Sequence, residues 1–171
     1  MAVSKAAVIG AGLIGRSWAM VFARAGWHVA LHDPVAGVAG RALDLIGPAL
    51  AEQARYGLVH DPSAALARIA VAPALADALA DAALAQECGP ERIETKLEVF
   101  AELDRLAGAT TILASSTSAI VASRFTEGLA GRGRCLIAHP VNPPHLVPLV
   151  ELCPAPWTDP ATVERARAIY A

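Results

Sequence analysis

Three glycines follow the first apolar run of the chain at the spacing G-x-G-x-x-G, as Gly10, Gly12 and Gly15. The apolar run, Ala6–Ile9, has the length of a buried parallel strand, and a helical pattern begins at about residue 13. In such a unit the first glycine permits a tight turn, the second lets a diphosphate approach the backbone, and the third lets the helix pack on the strand. The free amides of the helix N-terminus favour the anion. The pattern predicts a dinucleotide site.

A carboxylate lies just after the second apolar run, where Trp27–Leu31 is followed two residues later by Asp33. At the end of the second strand, this carboxylate can accept a hydrogen bond from the 2′-hydroxyl of an adenosine ribose, whereas it would repel a 2′-phosphate. No arginine follows Asp33 closely. We therefore predict NAD rather than NADP as the cofactor. The alternative is a glycine-rich turn without a ligand, and the combination of strands, glycines, helix and acid disfavours it.

Composition and charge exclude several other classes of protein. The 171 residues are 55% hydrophobic and 18% charged, which suits one domain or a domain plus part of another. With 14 basic and 16 acidic side chains and no basic tract, we expect no nucleic-acid partner. Residues 1–5 lead directly into the first apolar run, so we expect no signal peptide, and since no apolar stretch reaches the length of a membrane helix, we expect no membrane span. Three cysteines without a C-x-x-C pair indicate reduced thiols in a cytoplasmic protein.

Strand and helix patterns alternate along the whole chain. We predict strands at about 3–9, 28–33, 69–71, 82–87, 111–114 and 135–138, and an extended segment at 146–152. We predict helices at about 13–25, 35–57 with a kink or break at Gly47-Pro48, 62–66, 74–79, 91–106, 121–129, and from 160 with Asp159 as N-cap. This alternation indicates an α/β fold over residues 1–171, a doubly wound and mainly parallel sheet of Rossmann-like type.

A second polar cluster begins at the end of a predicted strand, with His139 in the segment A-H-P-V-N-P-P-H (138–145) and Glu151 after it. A neutral imidazole there can take a proton from a substrate hydroxyl while hydride leaves the same carbon for a nicotinamide. Glu151 can fix the tautomer of the ring and support the imidazolium that forms. A histidine that merely ends a strand is the alternative, and the nucleotide motif disfavours it.

Further polar side chains follow the predicted strands. Ser115–Ser118 can offer hydroxyls to a substrate oxygen, or can form an N-cap or turn before residue 119, and the residues alone leave both interpretations open. Asn142 can donate its amide to the same region. A metal site of His139, His145 and Glu151 is disfavoured, because prolines interrupt the segment and the spacing fits no zinc motif, so we expect no metal. Hydrolysis by a catalytic triad is disfavoured because G-x-S-x-G is absent from the sequence.

Taken in order, these motifs resemble the 3-hydroxyacyl-CoA dehydrogenase superfamily. The resemblance rests on G-A-G-L-I-G-R-S-W-A (10–19), Asp33, E-x-x-x-x-K (91–96), S-S-T-S (115–118), H-P-V-N-P-P (139–144) and L-V-E (149–151). These motifs are spread over the whole chain. The R-S-W-A segment, and H-P-V-N-P-P where the acyl-CoA enzymes have H-F-F-N-P, most resemble the branch that contains lambda-crystallin and L-gulonate 3-dehydrogenase.

The resemblance implies roles for particular residues. It implies cofactor contacts at Gly10, Gly12, Leu13, Ile14, Gly15, Asp33, Glu91 and Lys96. By spacing alone, Glu91 and Lys96 indicate only an exposed pair on a helix. It further implies that His139 is the catalytic base with Glu151 as its partner, that Ser118 orients the substrate 3-oxygen, and that Asn142 lies near the nicotinamide.

The resemblance also implies a reaction, the NAD-dependent oxidation of a 3-hydroxy acid to a 3-keto acid. We expect a small polar carboxylate such as L-gulonate, with 3-hydroxyacyl-CoA or carnitine as alternatives. In that family an all-helical domain follows, completes the active site and forms the homodimer, and we expect it and the last strand or strands of the first domain to be absent here. Cofactor binding should therefore survive better than turnover, and an inactive nucleotide-binding chain is the alternative of another class.

Overall fold

Seven strands form one sheet in the computed structural model, which describes residues 4–171. The strands are Lys5–Ile9 (β1), His28–His32 (β2), Ile69–Val71 (β3), Leu84–Glu87 (β4), Ile112–Ser115 (β5), Cys135–Pro140 (β6) and Val150–Pro154 (β7). Their order is β3-β2-β1-β4-β5-β6-β7, and every neighbouring pair is parallel except β6 and β7. The first six strands thus have the doubly wound order of dinucleotide-binding folds, and the predicted fold class is confirmed.

Helices connect the strands and cover both faces of the sheet. They are Leu13–Arg24 (α1), Val38–Arg55 (α2), Pro62–Ala67 (α3), Leu75–Leu79 (α4), Ile93–Leu106 (α5), Ser123–Thr126 (α6) and Pro160–Tyr170 (α7), with a short 3₁₀ helix at Arg132–Arg134. Each parallel crossover uses a helix to return the chain, so β1 to β6 run in the same direction. Their C-terminal ends therefore meet at one edge of the sheet. The polar segments identified in the sequence follow these ends.

The sheet separates two apolar cores because alternate residues of each strand point to opposite faces. In β1, Ala6 and Val8 contribute to the core beneath α1 and α2, whereas Ala7 and Ile9 contribute to the core beneath α5. Burial on both faces explains why this strand is an uninterrupted apolar run.

Of the kink or break predicted at Gly47-Pro48, the break is wrong, because α2 continues through Pro48. Proline removes one backbone hydrogen bond, to the carbonyl of Asp44, but Pro48 lies on the exposed face of the helix, where water can solvate that carbonyl. Ile46 and Leu50 lie on the buried face on either side of the proline and anchor both halves of the helix in the core.

Several predicted boundaries differ from the structure. The first strand begins at Lys5, and its predicted first residue, Val3, lies outside the described residues. The helix predicted at 121–129 is only Ser123–Thr126, since the chain then turns, with the Leu129 amide donating to the Thr126 carbonyl. The segment predicted as extended from 146 begins its strand only at Val150.

The predicted N-cap role of Asp159 is wrong in one respect. Asp159 occupies the N-cap position of α7, but its side chain makes no capping hydrogen bond. Its backbone amide donates to the carbonyl of Gly133, and its carboxylate packs against the same glycine. This contact aligns the start of α7 with the turn before β6 instead of satisfying the first amides of the helix.

Candidate active site

The turn between β1 and α1 needs glycine at two of the three motif positions. Gly10 has φ +97°, and a side chain there would approach the backbone of Cys88 to 2.9 Å. A Cβ atom on Gly15 would lie 1.8 Å from the carbonyl oxygen of Gly10, which is closer than any packing allows. The first glycine therefore provides the turn, and the third provides the close packing of helix on strand, as their spacing predicts.

The N-terminus of α1 is open to an anion. Gly12 occupies the N-cap position, no acidic residue lies in the first turn, and a Cβ atom on Gly12 would meet nothing within 4 Å. The first amides of a helix, here those of Leu13 and Ile14, have no carbonyl partner within the helix. Together with the helix dipole, these amides can hold a diphosphate, and the residues fit the group that the motif predicts.

Asp33 lies at the C-terminal end of β2, where the sequence predicts the ribose contact. Its Oδ2 atom accepts a hydrogen bond from the Ala11 amide at 2.8 Å, and its Oδ1 atom accepts one from the Val35 amide at 2.9 Å. A carboxylate has about four acceptor positions, so both oxygens retain capacity for ribose hydroxyls. The same side chain thus fixes the glycine turn and lines a cavity of about 680 Å³ that also includes Gly12 and Gly89.

A buried ion pair lies behind this cavity, and sequence reasoning missed it. Lys96 and Glu87 are each 1% exposed, with the Lys96 ammonium 2.8 and 2.7 Å from the two carboxylate oxygens of Glu87. Glu87 also accepts hydrogen bonds from the Gly89 amide at 2.6 Å and from the Ser115 hydroxyl at 2.6 Å. The pair therefore joins the ends of β4 and β5 to α5, and its partners satisfy both charges.

The buried position of Lys96 corrects the exposed helical pair that spacing alone indicates. Its ammonium contacts Glu87 and the Gly89 carbonyl, so in this structure it supports the turn behind the cofactor cavity. Glu91 is exposed and precedes α5, which begins at Ile93. The two residues therefore do not share a helical face.

Glu91 contacts the segment after β5. Its Oε1 atom accepts hydrogen bonds from the Thr117 hydroxyl, the Ala119 amide at 3.0 Å and the Ser118 amide at 3.1 Å. Burial acts to raise the pKa of Glu91, but the three hydrogen bonds and the charge of Lys96 outweigh it and hold this pKa below its ordinary value. The carboxylate therefore stays ionised and fixes the backbone around Ser118.

Of the two interpretations of Ser115–Ser118, the turn is observed, and the contact with a substrate oxygen stays a prediction. Thr117 forms a turn, because its hydroxyl oxygen accepts from the Ile120 amide at 3.1 Å. Ser116 is half-buried, and its hydroxyl oxygen accepts from the Trp18 indole at 3.1 Å and the Gln86 amide at 2.7 Å. Ser118 is the exposed residue of the segment.

The predicted contact between His139 and Glu151 is present. The two residues are directly paired across the antiparallel strands β6 and β7, and Nδ1 of His139 lies 2.8 Å from Oε2 of Glu151. An ionised carboxylate only accepts hydrogen bonds, so Nδ1 carries the proton and Nε2 carries the lone pair. His139 is 28% exposed and Glu151 is 68% exposed, so the pair is open to solvent at the sheet edge.

The segment between β6 and β7 does not gather a metal site. Nδ1 of His145 contacts the Ser17 hydroxyl at 2.9 Å, and Asn142 is exposed. Over residues 4–171, no group of three or more His, Cys, Asp or Glu side chains is arranged to hold a metal ion. The site thus consists of a dinucleotide cradle on β1, β2 and β4 and of polar groups at the ends of β5 and β6.

A second, partly buried network surrounds Cys88 and also has no sequence signal. The Tyr170 hydroxyl from α7 donates to Gln86, and the Sγ atom of Cys88 lies 3.4 Å from the Ser116 hydroxyl. Burial raises the pKa of the Cys88 thiol to about 12, so this thiol stays protonated and unreactive at neutral pH. All three cysteines are free thiols: Cys88 is half-buried, Cys135 is buried and Cys153 is exposed.

The fold, the glycine turn and the terminal acid of β2 define a Rossmann-type dinucleotide-binding domain. Comparison with known families is more specific: residues 5–171 match the family described as "3-hydroxyacyl-CoA dehydrogenase, NAD binding domain". The chain belongs to this family, and NAD is its cofactor. None of the helices within residues 4–171 has both the length and the apolar character needed to cross a membrane.

Individual relatives agree with this family. The chain is 43% identical to the lambda-crystallin homolog of Rattus norvegicus over 95% of its length and 52% of the relative. It is 37% identical to the L-carnitine dehydrogenase of Streptomyces griseus, over 99% of this chain and 50% of the relative. A 3-hydroxybutyryl-CoA dehydrogenase structure from Escherichia coli K12 superposes with a TM-score of 0.92 at 30% identity, covering 99% of this chain and 36% of that one. The chain thus spans about half the length of the curated relatives it matches.

Proposed function

We propose that the protein to which this chain belongs oxidises a 3-hydroxy acid to a 3-keto acid with NAD. The observation that carries the proposal is the His139–Glu151 pair at 2.8 Å, at the same sheet edge as the dinucleotide cradle. In the sheet order, β6 lies two strands beyond β4, so a dinucleotide held at Gly12 and extended across the end of β4 would have its nicotinamide end on the side of His139.

In this proposal, NAD supplies the hydride acceptor when bound. His139 takes the proton of the substrate 3-hydroxyl on Nε2 while hydride leaves the carbon that carries this hydroxyl, and the C–O bond becomes a carbonyl. Glu151 holds the ring in the required tautomer and stabilises the imidazolium. Ser118 and Asn142, which are both exposed near this edge, orient the substrate oxygen and the nicotinamide end.

For the substrate, we propose a free 3-hydroxy acid with L-gulonate as the first candidate. The support is the branch-like R-S-W-A and H-P-V-N-P-P segments, together with the lambda-crystallin homologues among the relatives. Carnitine is the nearest alternative because of the dehydrogenase relatives of that name, and 3-hydroxyacyl-CoA is supported by the family description.

A substrate panel tests this proposal. L-gulonate, L-carnitine, 3-hydroxybutyrate and 3-hydroxybutyryl-CoA are offered with NAD to the 171-residue chain and to the full product of its gene, and NADH formation is followed by absorbance. We expect turnover of L-gulonate or of the free 3-hydroxy acid. Preference for the CoA ester would contradict the proposed substrate, and no turnover of any of the four by a folded protein would contradict the reaction.

The second candidate is a chain that binds NAD without turnover by itself. This candidate is favoured by the exposure of residues near the proposed base. Leu146 is 54% exposed, Leu149 is 52% exposed and Glu151 is 68% exposed. We further propose that a helical domain covers this surface in a protein of the relatives' length, which would be a cytoplasmic homodimer. Light scattering of the full gene product and fractionation of its host cells test these two statements.

A further inference from the structure

The segment Val141–Leu149, here called the base loop, joins the strand of His139 to the strand of Glu151 and carries Asn142. Its neck is closed by the Val141 amide, which donates to the Leu149 carbonyl at 3.0 Å. Inside the loop, two amides turn back onto the carbonyl of Pro143 at 3.0 and 3.1 Å. These hydrogen bonds within the loop define its shape, but they do not hold it against the rest of the protein.

Contacts with α1 provide that anchor. Nδ1 of His145 lies 2.9 Å from the Ser17 hydroxyl, and Arg24 donates to the backbone carbonyl of His145 at 2.7 Å. The Ser17 hydroxyl donates its own proton to the Leu13 carbonyl at 2.9 Å. Because that proton is used, the Ser17 oxygen accepts from His145, and Nδ1 of the ring carries the proton. We call Ser17, Arg24 and His145 the latch.

The latch connects two parts of the proposed site. Ser17 is 1% exposed and lies one turn after Leu13, in the helix whose first amides face the diphosphate. His145 lies three residues after Asn142 in the base loop. The helix that would hold the cofactor therefore also holds the loop beside the base.

The surroundings of His145 keep its ring neutral. Burial, and then the positive charge of Arg24, lower the pKa of His145 below its ordinary value. Arg24 also donates to the Gln53 side-chain oxygen at 3.3 Å, which carries no charge. A neutral ring with its proton on Nδ1 is the form that donates to Ser17 without adding a second positive charge beside Arg24.

We propose that His145 is a positioning residue, which through the latch holds the base loop against the cofactor helix so that Asn142 and the His139–Glu151 pair keep a fixed relation to the bound dinucleotide. This proposal depends on the proposed function in one respect only, namely the reaction that takes place beside the base loop. It also predicts coupling: dinucleotide binding to α1 stabilises the base loop through His145.

Two substitutions of His145 separate this role from general packing. His145→Asn keeps an N–H donor near the position of Nδ1, whereas His145→Leu keeps similar bulk without a donor. The readout is hydrogen exchange of the Val141 amide in the 171-residue chain, with and without NADH. We expect about fivefold faster exchange in His145→Leu, the effect of one lost hydrogen bond, and exchange close to that of the unsubstituted chain in His145→Asn.

NADH should slow this exchange in the unsubstituted chain and in His145→Asn, but not in His145→Leu, while its affinity changes little in any of them. His60→Leu, at an exposed histidine outside the latch, is the control and should change neither quantity.

If His145→Leu does not fold, Ser17→Ala removes the acceptor instead and should speed the exchange equally. Unchanged exchange in His145→Leu, or equal effects of Asn and Leu, would overturn the latch. Failure of NADH to bind would contradict the proposed function, yet exchange without NADH would still test the anchor.

Discussion

Behind the dinucleotide cavity, the charged pair Glu87–Lys96 is 1% exposed on both partners, whereas at the base the pair His139–Glu151 is 28% and 68% exposed. We call the ends of β1, β2 and β4 the cofactor side, and the ends of β5, β6 and β7 the substrate side. On the cofactor side, the charges of Glu87 and Lys96 are paired and enclosed by folding. On the substrate side, the polar groups are in place but remain open to solvent. The difference indicates that residues 4–171 preorganise NAD binding more completely than chemistry.

The largest expected effect separates chemistry from cofactor binding on the substrate side. In a preparation that oxidises a 3-hydroxy acid, His139→Gln should lower kcat by about 10²- to 10⁴-fold, because the proton acceptor is lost. NADH affinity, measured by fluorescence titration, should stay nearly unchanged, since His139 lies on β6, three strands from β1 and its glycine turn. His60→Gln is the matched control. Loss of NADH affinity together with kcat would show that His139 is structural.

The next effect concerns stability on the cofactor side. Lys96→Met leaves the Glu87 carboxylate buried and unpaired, so the free energy of unfolding should fall by about 3–5 kcal/mol. Adding Glu87→Gln to the Lys96→Met variant removes the unpaired charge and should recover part of the lost free energy of unfolding. Denaturant unfolding measures both. Arg105→Met, at the exposed pair with Glu102, should leave the midpoint almost unchanged. Equal effects of Lys96→Met and Arg105→Met would contradict the contrast between enclosed and open charges.

A smaller effect tests cofactor choice. Asp33→Asn removes the negative charge at the predicted ribose position, and we expect NADH affinity to fall about tenfold, the effect of losing one hydrogen bond to a charged group. NADPH should gain relative to NADH because its 2′-phosphate no longer meets a carboxylate. Asp44→Asn, at an exposed position of α2, is the control in the same fluorescence titration. An unchanged ratio of the NADH and NADPH affinities would show that Asp33 does not contact the cofactor.

The smallest effect depends on pH. Because the pKa of Glu91 is lowered in the folded chain, its contribution to stability is present above its ordinary pKa and is lost as pH falls through the lowered value. The difference in melting temperature between the unsubstituted chain and Glu91→Gln should therefore shrink between about pH 7 and about pH 3. Glu94→Gln, at another exposed glutamate, is the matched control. A difference that grows toward acid would reverse the assigned direction.

Local geometry made much of the cofactor side predictable. The positions of Gly10 and Gly15 are dictated by a turn and a close approach that few other residues allow, so spacing alone identified them. The contact of His139 with Glu151 was also predictable, because a strand and a following extended segment carry the two residues at one sheet edge.

The remaining features depend on tertiary packing that leaves no local pattern. Lys96 pairs with Glu87 across nine residues and a turn, so the helical spacing of Lys96 indicated an exposed face instead of burial. His145 reaches Ser17 across 128 residues, which no motif encodes. The continuity of α2 through Pro48 depends on the core contacts of its buried face.

The most direct test of the contrast between the two sides is a fluorescence titration of the 171-residue chain with NADH and NADPH, in parallel with His139→Gln. The account predicts saturable binding of NADH, weaker binding of NADPH, and the same NADH affinity for the His139 variant. If the folded chain binds no NADH, or binds NADPH as tightly, the cofactor side is not complete within these residues, and the central claim is contradicted.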